Sequence, residues 1–267
     1  MPLPHYLLAG GQEGLTHCYR SASLFLCTDY DGTLVPIAQR PHEAQPGSRL
    51  LSLLSDLVQS PGMEVAVVSG RPVAELRTLL PLSGLWYVGL HGLEMLTPRG
   101  KKHLLTSTAA TDMIIRRLQE KMQQIVATAP GCVLEDKGHT LALHFRLACQ
   151  SDAVRVTGKF LADVQAYQKK GVALQTIRGK KVIEVRPLAA NKGKALSVLM
   201  QSKQTCPIYL GDDETDEEAF GALNHRGITV LVADPPRPTA ARFYLRSPAE
   251  VEEFFLLLLR LRRQIPA

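Results

Sequence analysis

The sequence lacks any hydrophobic run long enough to cross a lipid bilayer, since its longest apolar stretch is only Phe254–Leu259. It also lacks a basic run with interleaved aromatic residues, because its 31 Lys and Arg residues are scattered and only 6% of the chain is aromatic. Neither a membrane nor a nucleic acid is therefore expected as a partner. The net charge of +6 favours a small anionic ligand instead.

The cysteines are few and unpatterned. There are five, an odd number, and no two of them show the spacing of metal ligands. The beginning of the chain lacks the basic region and apolar stretch of a signal peptide. We therefore expect a reducing, cytoplasmic location and no zinc site built from His and Cys.

The chain alternates between two kinds of pattern. Up to about residue 98, and again after residue 190, short apolar runs alternate with amphipathic helical stretches, which is typical of a parallel sheet with right-handed crossovers. The middle of the chain shows helix, hairpin, helix and hairpin. The sequence thus predicts an α/β protein with a Rossmann-like parallel core of residues 1–100 and 187–267, and an inserted α+β cap domain of residues 101–186.

Three local features are also predicted. Ser151 is expected to cap the second helix of the insertion, and Phe243–Leu245 to form an edge strand. The segment Ser247–Glu250 has the pattern of a capping box, with proline at the first helical position.

The stretch SLFLCTDYDGTL organises the chain. An apolar run, Leu24–Cys27, ends in Asp29 and Asp31, and a buried strand that delivers two carboxylates is costly unless something uses them. Ligands of open α/β sheets bind at the carboxyl ends of strands. One interpretation is a plain turn. The other is that Asp29 is a nucleophile and Asp31 its partner acid or base, with a divalent cation between them.

Polar residues also follow other predicted strands or open the helix after the insertion. Because parallel strands end at one edge of a sheet, these groups should converge there. They are Ser69, Arg71, Lys192, Asp212, Asp213 and Asp216. The alternatives are that Ser69 only caps a helix, that Lys192 is a solvated surface residue, and that Glu217 and Glu218 are ordinary first-turn helix acids.

The charges of this predicted site do not balance. Each pair of like charges at about 4 Å costs on the order of 4 kcal/mol at an effective dielectric near 20. A single lysine cannot offset five clustered aspartates and a phosphate. A hard divalent cation with oxygen ligands can, and Mg²⁺ suits carboxylates and phosphate.

Seven segments together resemble one family. They are DYDGTLVPI, VVSGRP, GLHGLEM, EDKGHTLALHFR, KVIEVRP, NKGKAL and GDDETDEEAF. In this order they resemble the trehalose-phosphate phosphatases of the haloacid dehalogenase-like superfamily. The resemblance covers the chain from Leu24 to about Leu259 and implies a haloacid dehalogenase-like core with a cap.

The resemblance implies a role for each matching residue. Asp29 would become an aspartyl phosphate, and Asp31 would protonate the leaving sugar oxygen and then activate water. Ser69 and Lys192 would hold the phosphoryl oxygens, and Arg71 would also bind substrate. Mg²⁺ would be bound by Asp29, the backbone carbonyl of Asp31, and Asp212. The remaining acids, Asp213 and Asp216, would orient these ligands. His91 is assigned no role, because Leu90 stands before it where the family often has a small polar residue.

The sugar must be read by the inserted domain, which we expect to close over the site. Glu135 and Lys137 share one face of a strand, and Glu184 lies on another strand. One interpretation is a surface ion-pair cluster. The resemblance implies the other, that these three residues bind sugar hydroxyls.

The implied reaction is hydrolysis of trehalose 6-phosphate to trehalose and phosphate, the last step of trehalose biosynthesis. A trehalose-phosphate synthase of the same pathway is a possible partner. One alternative is a related cap-bearing phosphatase of sucrose phosphate or glucosylglycerol phosphate, and the other is a catalytically silent regulatory domain. The presence of Asp29, Asp31, Lys192 and Asp212 together argues against silence.

Overall fold

The structure is a computed structural model that describes residues 3–8, 21, 23–105, 109–201, 205–223 and 226–263. The chain divides into two compact units. The first comprises Met1–His103 and Asn191–Ala267, and the second comprises Leu104–Ala190. The predicted insertion, residues 101–186, and the second unit differ by three residues at the start and four at the end.

The strands, in chain order, are β1 (His5–Tyr6), β2 (Leu24–Thr28), β3 (Met63–Val68), β4 (Trp86–Gly89), β5 (Glu94–Leu96), β6 (Lys102–Leu104), β7 (Val133–Asp136), β8 (Leu141–His144), β9 (Leu174–Gly179), β10 (Val182–Pro187), β11 (Cys206–Gly211), β12 (Ile228–Val232) and β13 (Phe243–Leu245). The α-helices are α1 (Ser48–Gln59), α2 (Val73–Leu79), α3 (Ala109–Val126), α4 (Gln150–Gln168), α5 (Lys192–Met200), α6 (Glu217–Leu223) and α7 (Pro248–Arg262). Short 3₁₀ turns cover Pro41–Glu43 and Leu90–Gly92.

The large sheet has the order β1-β13-β12-β11-β2-β3-β4-β5-β6. Neighbouring strands from β1 to β4 in this order are parallel, and β5 is antiparallel to β4. The predicted α/β class is therefore confirmed, with the antiparallel β5 added toward one edge. Because β11, β2 and β3 are parallel neighbours, the residues that follow them emerge at one edge of the sheet.

The apolar patterns explain these elements. All residues of β2 and of β12 are buried, as expected for strands covered on both faces. Helix α1 buries Leu50, Leu53, Leu54 and Leu57, the spacing of a single helical face. These side chains join the strands and α7 in the main core of the first unit.

The second unit is a four-stranded antiparallel sheet in the order β7-β8-β10-β9, with helices α3 and α4. Alternate strand residues pack with the helices into one core, among them Leu141, Leu143, Ile183 and Val185. The opposite face of the sheet carries Glu135, Ala142 and Glu184 side by side, because the strand register pairs Ala142 with both glutamates. The predicted α+β insertion is confirmed.

Two local predictions are wrong. Phe243–Leu245 is not an edge strand, because β1 pairs with it on one side and β12 on the other. A strand of two residues, His5–Tyr6, gives no alternation from which it could be predicted. Ser151 does not cap α4, which begins one residue earlier, at Gln150, with Cys149 as its N-cap residue.

The predicted capping box of α7 does not form. Ser247 is the N-cap residue and Pro248 is the first helical residue, as predicted, but the Ser247 side chain accepts no capping hydrogen bond from the described helix. Glu250 instead accepts the Arg246 N–H (2.7 Å) and the Tyr6 hydroxyl (2.8 Å). The carboxylate thus ties the helix start to β1.

Among the described residues, none of the helices combines the length and apolar character that crossing a bilayer requires. Cytoplasmic localisation stays a prediction.

Candidate active site

Asp29 lies at the centre of the sheet edge, directly after β2. Its side chain is buried, and its N–H donates to the Leu210 carbonyl of the neighbouring strand (2.9 Å). One carboxylate oxygen, Oδ2, lies 3.1 Å from Lys192 Nζ. A solvated turn does not bury a carboxylate against an ammonium in this way.

Lys192 is positioned by the first turn of α5. The N-cap residue Asn191 accepts the Lys194 N–H (2.8 Å), and Glu218 accepts the Lys192 N–H (3.1 Å). The side chain is 1% exposed, so the alternative of a solvated lysine is wrong. Burial alone would lower the pKa of Lys192, but Asp216 and Asp29 raise it well above its ordinary value.

Asp216 organises the loop that follows β11. Its Oδ1 accepts bonds from Lys192 Nζ (2.8 Å) and the Tyr209 hydroxyl (2.6 Å). Its Oδ2 accepts the backbone N–H groups of Asp212 (3.0 Å) and Asp213 (3.1 Å). Burial raises the pKa of Asp216 to about 6 despite the lysine.

Asp212 approaches the turn after β2. A Cβ atom on Gly32 would lie 2.2 Å from Asp212 Oδ2, and Gly32 has a φ of +81°. Only glycine satisfies both the left-handed backbone and the close approach. The turn at Gly32, which follows Asp29 and Asp31, therefore lies directly against the Asp212 carboxylate.

Asp213 is held by Thr215, whose N–H and hydroxyl donate to Asp213 Oδ1 at 2.8 and 2.7 Å. Burial would raise the pKa of Asp213, but Lys192, the Thr215 bonds and the charge of His91 lower it to about 2. His91 is thus within electrostatic reach of this loop. We refer to Asp29, Asp212, Asp213 and Asp216 with Lys192 as the core cluster.

The core cluster can hold a cation. Carboxylate oxygens of Asp29, Asp212 and Asp216 lie within 4.8 Å of one another. Burial, together with the charges of the other three carboxylates, raises the pKa of Asp29 well above its ordinary value in spite of Lys192. A donor set made only of carboxylates, in a site short of positive charge, fits a hard divalent cation such as Mg²⁺.

Asp31 is paired with Arg71. Its Oδ2 and Oδ1 accept Arg71 Nε (2.6 Å) and Nη2 (2.7 Å). The guanidinium also contacts Glu75 and the Pro41 carbonyl, and it lies over the Tyr30 ring. Arg71, predicted to bind substrate, is therefore occupied by protein groups in this structure, with Asp31 as its bidentate partner.

Ser69 lies at the end of β3, next to the core cluster along the sheet edge. It donates its N–H to the Val88 carbonyl (2.9 Å), accepts the His91 N–H on its carbonyl (2.9 Å), and accepts the Arg71 N–H on its hydroxyl oxygen (3.2 Å). Pro72, and not Ser69, is the N-cap residue of α2, so the helix-cap alternative is wrong.

The second unit contains a separate charged group. Lys137 Nζ lies 2.9 Å from Glu184 Oε2, and His144 Nε2 lies 2.7 Å from Glu135 Oε2. Burial raises the pKa of Glu135, but the bond to His144 and the Lys137 charge bring it below its ordinary value. The Lys137 and Glu184 side chains are only 11% and 9% exposed, which is unlike a solvated surface pair. We call these four residues the cap cluster.

Comparison with known proteins gives a consistent result. The sequence model of the family described as Trehalose-phosphatase matches residues 27–249, most of the chain. The chain belongs to the trehalose-phosphatase family.

Individual members of the family agree in sequence and in fold. A trehalose-phosphate phosphatase of Mycobacterium ulcerans is 37% identical over 265 residues, which cover 94% of this chain and 65% of the relative. The chain therefore spans slightly less than two thirds of that relative's length. The C-terminal domain of the C. albicans trehalose-6-phosphate phosphatase superposes with a TM-score of 0.85 at 25% identity, covering 97% of this chain and 98% of that one.

A further structural neighbour shows how far the fold extends. The C-terminal domain of a Candida albicans trehalose synthase regulatory protein has a TM-score of 0.76 at 13% identity, with 97% of this chain and 100% of that one covered. At this identity the likeness concerns the fold alone. Within the trehalose-phosphatase fold, function must therefore be argued from the site.

Three supporting residues were not predicted from the sequence. The Tyr209 hydroxyl donates to Asp216, and the Glu218 carboxylate accepts the backbone N–H of Lys192. Glu218 is therefore more than the first-turn helix acid that we expected. His144 bonds Glu135 in the cap cluster. The position of His144 could have been predicted from the sequence. It alternates along the strand with the apolar Leu141 and Leu143, so it lies on the same face as Ala142.

Proposed function

We propose that the chain is a Mg²⁺-dependent phosphatase that hydrolyses trehalose 6-phosphate to trehalose and phosphate. The observation that carries the proposal is the Asp29 carboxylate, buried at the end of β2 beside Lys192 and Asp212 in a chain of the trehalose-phosphatase family. Because the chain is shorter than its curated relatives, the activity of the whole protein is part of the proposal.

The chemistry follows from the side chains. A carboxylate oxygen of Asp29 attacks phosphorus, and the bond to the sugar oxygen breaks as Asp31 gives that oxygen a proton. Asp31 then takes a proton from water, whose oxygen attacks the aspartyl phosphate and regenerates Asp29. Lys192 and Ser69 stabilise the phosphoryl oxygens throughout.

The Asp31–Arg71 pair sets a requirement on this mechanism. Each Asp31 oxygen accepts one bond from Arg71 and keeps a second lone pair. The acid step requires a proton on one of these remaining lone pairs, or on an oxygen that Arg71 has released. We propose that Arg71 holds Asp31 between turnovers and that one arm of the guanidinium can then bind substrate.

Mg²⁺ would be held by Asp29, Asp212 and the backbone carbonyl of Asp31. Asp216 accepts four hydrogen bonds from the protein, which supports a role in orienting the loop and not in binding the cation directly. Asp213, bonded by Thr215, would have the same role. The bound cation would neutralise charge on the phosphoryl group.

The cap cluster is the proposed sugar-binding site. Trehalose is neutral and rich in hydroxyls, and ionised Glu135, Lys137 and Glu184 are strong hydrogen-bonding partners for hydroxyl groups. The substrate would be supplied by a trehalose-phosphate synthase, which is the proposed pathway partner.

Phosphate release from a panel of sugar phosphates, with Mg²⁺ and after chelation, tests the proposal. We expect release from trehalose 6-phosphate with Mg²⁺ and none after chelation. Faster release from sucrose phosphate or glucosylglycerol phosphate would favour a related phosphatase. No release from any compound would favour a silent regulatory domain, the alternative that the regulatory-protein fold raises.

A further inference from the structure

Two consecutive residues next to the active site have strained backbones. Leu90 and His91 have φ angles of +49° and +56°, in the left-handed region that non-glycine residues avoid. Both are buried. Among the residues that the structure describes, Lys181 is the one further non-glycine residue with positive φ, and it lies in an exposed turn. Strain of this kind persists only where the surroundings impose it.

The strained pair contacts the Ser69 segment through its backbone. The Leu90 N–H donates to the Arg71 carbonyl (3.0 Å), and the His91 N–H donates to the Ser69 carbonyl (2.9 Å). In an extended strand, successive N–H groups point to opposite sides. The left-handed pair departs from that pattern, so two successive N–H groups bond carbonyls on the same neighbouring segment.

The His91 ring contacts the same segment. A Cβ atom on Gly70 would lie 2.6 Å from His91 Nε2 and 2.7 Å from Cε1. Gly70 is not in the left-handed region, so its backbone does not require glycine. The position of the imidazole does require glycine, because any larger residue at position 70 would collide with the His91 ring.

We propose that His91 is a positioning residue for phosphate binding. Its backbone and ring fix the Ser69–Gly70 segment so that the Ser69 hydroxyl is held toward the phosphoryl group, and the strain at Leu90 and His91 is the cost of that arrangement. This inference rests on the proposed phosphatase activity. It assigns His91 no contact with substrate and no proton transfer.

The test is His91→Gly, which removes the ring and relieves the backbone strain. We expect an unfolding midpoint close to that of the wild type, because relief of the strain at His91 offsets the packing that is lost with the buried ring. We also expect kcat/KM to fall at least about tenfold, equally for trehalose 6-phosphate and p-nitrophenyl phosphate, because both carry the phosphate that Ser69 binds. The inhibition constant of inorganic phosphate should rise.

Lys181→Gly is the matched control, because it relieves a left-handed residue away from the active site. Its midpoint should rise, because no buried ring is lost at this exposed position, with kinetics and phosphate inhibition unchanged. A second measurement is a double-mutant cycle of unfolding free energies. Gly70→Ala should destabilise the wild type more than it destabilises His91→Gly, in which the ring is gone.

Each remaining outcome is decisive. Wild-type kinetics and phosphate inhibition in His91→Gly would overturn the inference and leave the proposed function intact. A marked loss of stability would overturn it too, because His91 would then support the fold and not the phosphate segment. Additive effects of Gly70→Ala and His91→Gly would contradict the contact. A wild-type protein inactive on every sugar phosphate would instead contradict the proposed function.

Discussion

The core cluster and the cap cluster both combine carboxylates with a lysine, but in different proportions of negative to positive charge. The core cluster has four carboxylates and one ammonium; burial raises the pKa of Asp29 and Asp216, whereas that of Asp213 is lowered in spite of burial, chiefly by Lys192. In the cap cluster, two carboxylates are each bonded to a cation or an imidazole, and the pKa of Glu135 is lowered. A site short of positive charge suits a metal cation, whereas a balanced one suits a neutral sugar.

The largest expected effect comes from Asp29→Asn in the core cluster. Turnover should fall by roughly a thousandfold or more, because an amide is a poor nucleophile. The metal-free variant should nevertheless be at least as stable as the wild type, since one crowded carboxylate is removed. Steady-state kinetics check the loss of turnover, and thermal unfolding checks the stability. A variant that loses stability along with activity would show that the carboxylates are not in excess.

The next largest effect should come from the cap cluster and concern only the sugar. Replacing Glu135, Lys137 or Glu184 with alanine should lower kcat/KM for trehalose 6-phosphate at least about tenfold, because a charged hydrogen bond is worth about 1.5–3 kcal/mol. Hydrolysis of p-nitrophenyl phosphate, which carries no sugar, should change little. Equal losses on both substrates would mean that these residues support the fold.

Mg²⁺ should stabilise the folded protein by binding to the core cluster and not to the cap cluster. Adding Mg²⁺ at about 100 times its dissociation constant should raise the unfolding free energy by about 2.7 kcal/mol, because the cation binds the folded state. Asp212→Asn should reduce this gain, and Glu184→Gln in the cap cluster should not. Ca²⁺ should restore activity poorly, because its bonds are longer and its geometry looser. An equal gain in both variants would place the cation elsewhere.

The smallest effect should be a pair of pH dependences of opposite sign. Asp216 has a pKa raised from 3.8 to about 6, so the metal-free protein should lose stability as pH rises between these values. Glu135 has a pKa lowered from 4.5, so its contribution should be lost as pH falls below that value. Asp216→Asn and Glu135→Gln should each flatten the corresponding part of the stability profile. Slopes of the same sign would contradict the difference between the clusters.

Local patterns predicted most of the architecture. The apolar run Leu24–Cys27 is observed within the strand Leu24–Thr28, and the last helix begins at Pro248 as predicted, because each pattern is strong within its own segment. The carboxylates of the site could be anticipated because strand ends in a parallel sheet converge. What could not be predicted depends on distant partners: Asp31 and Arg71 are 40 positions apart, and nothing in either segment specifies their bidentate pair.

The conformation of His91 was equally inaccessible to sequence reasoning. Non-glycine residues such as Leu90 and His91 carry no local preference for positive φ, so the tertiary contacts with Ser69 and Arg71 must impose it. Likewise, nothing in the SGR segment itself indicates that the imidazole of His91 fills the space that a side chain on Gly70 would need.

Trapping the covalent intermediate tests the central claim most directly. Enzyme mixed with trehalose 6-phosphate and Mg²⁺, quenched in acid and digested, should show a phosphate on the peptide that contains Asp29 when analysed by mass spectrometry. The same label should be absent from Asp29→Asn. Phosphate found on another residue, or full turnover after exhaustive metal removal, would contradict the account of the core cluster.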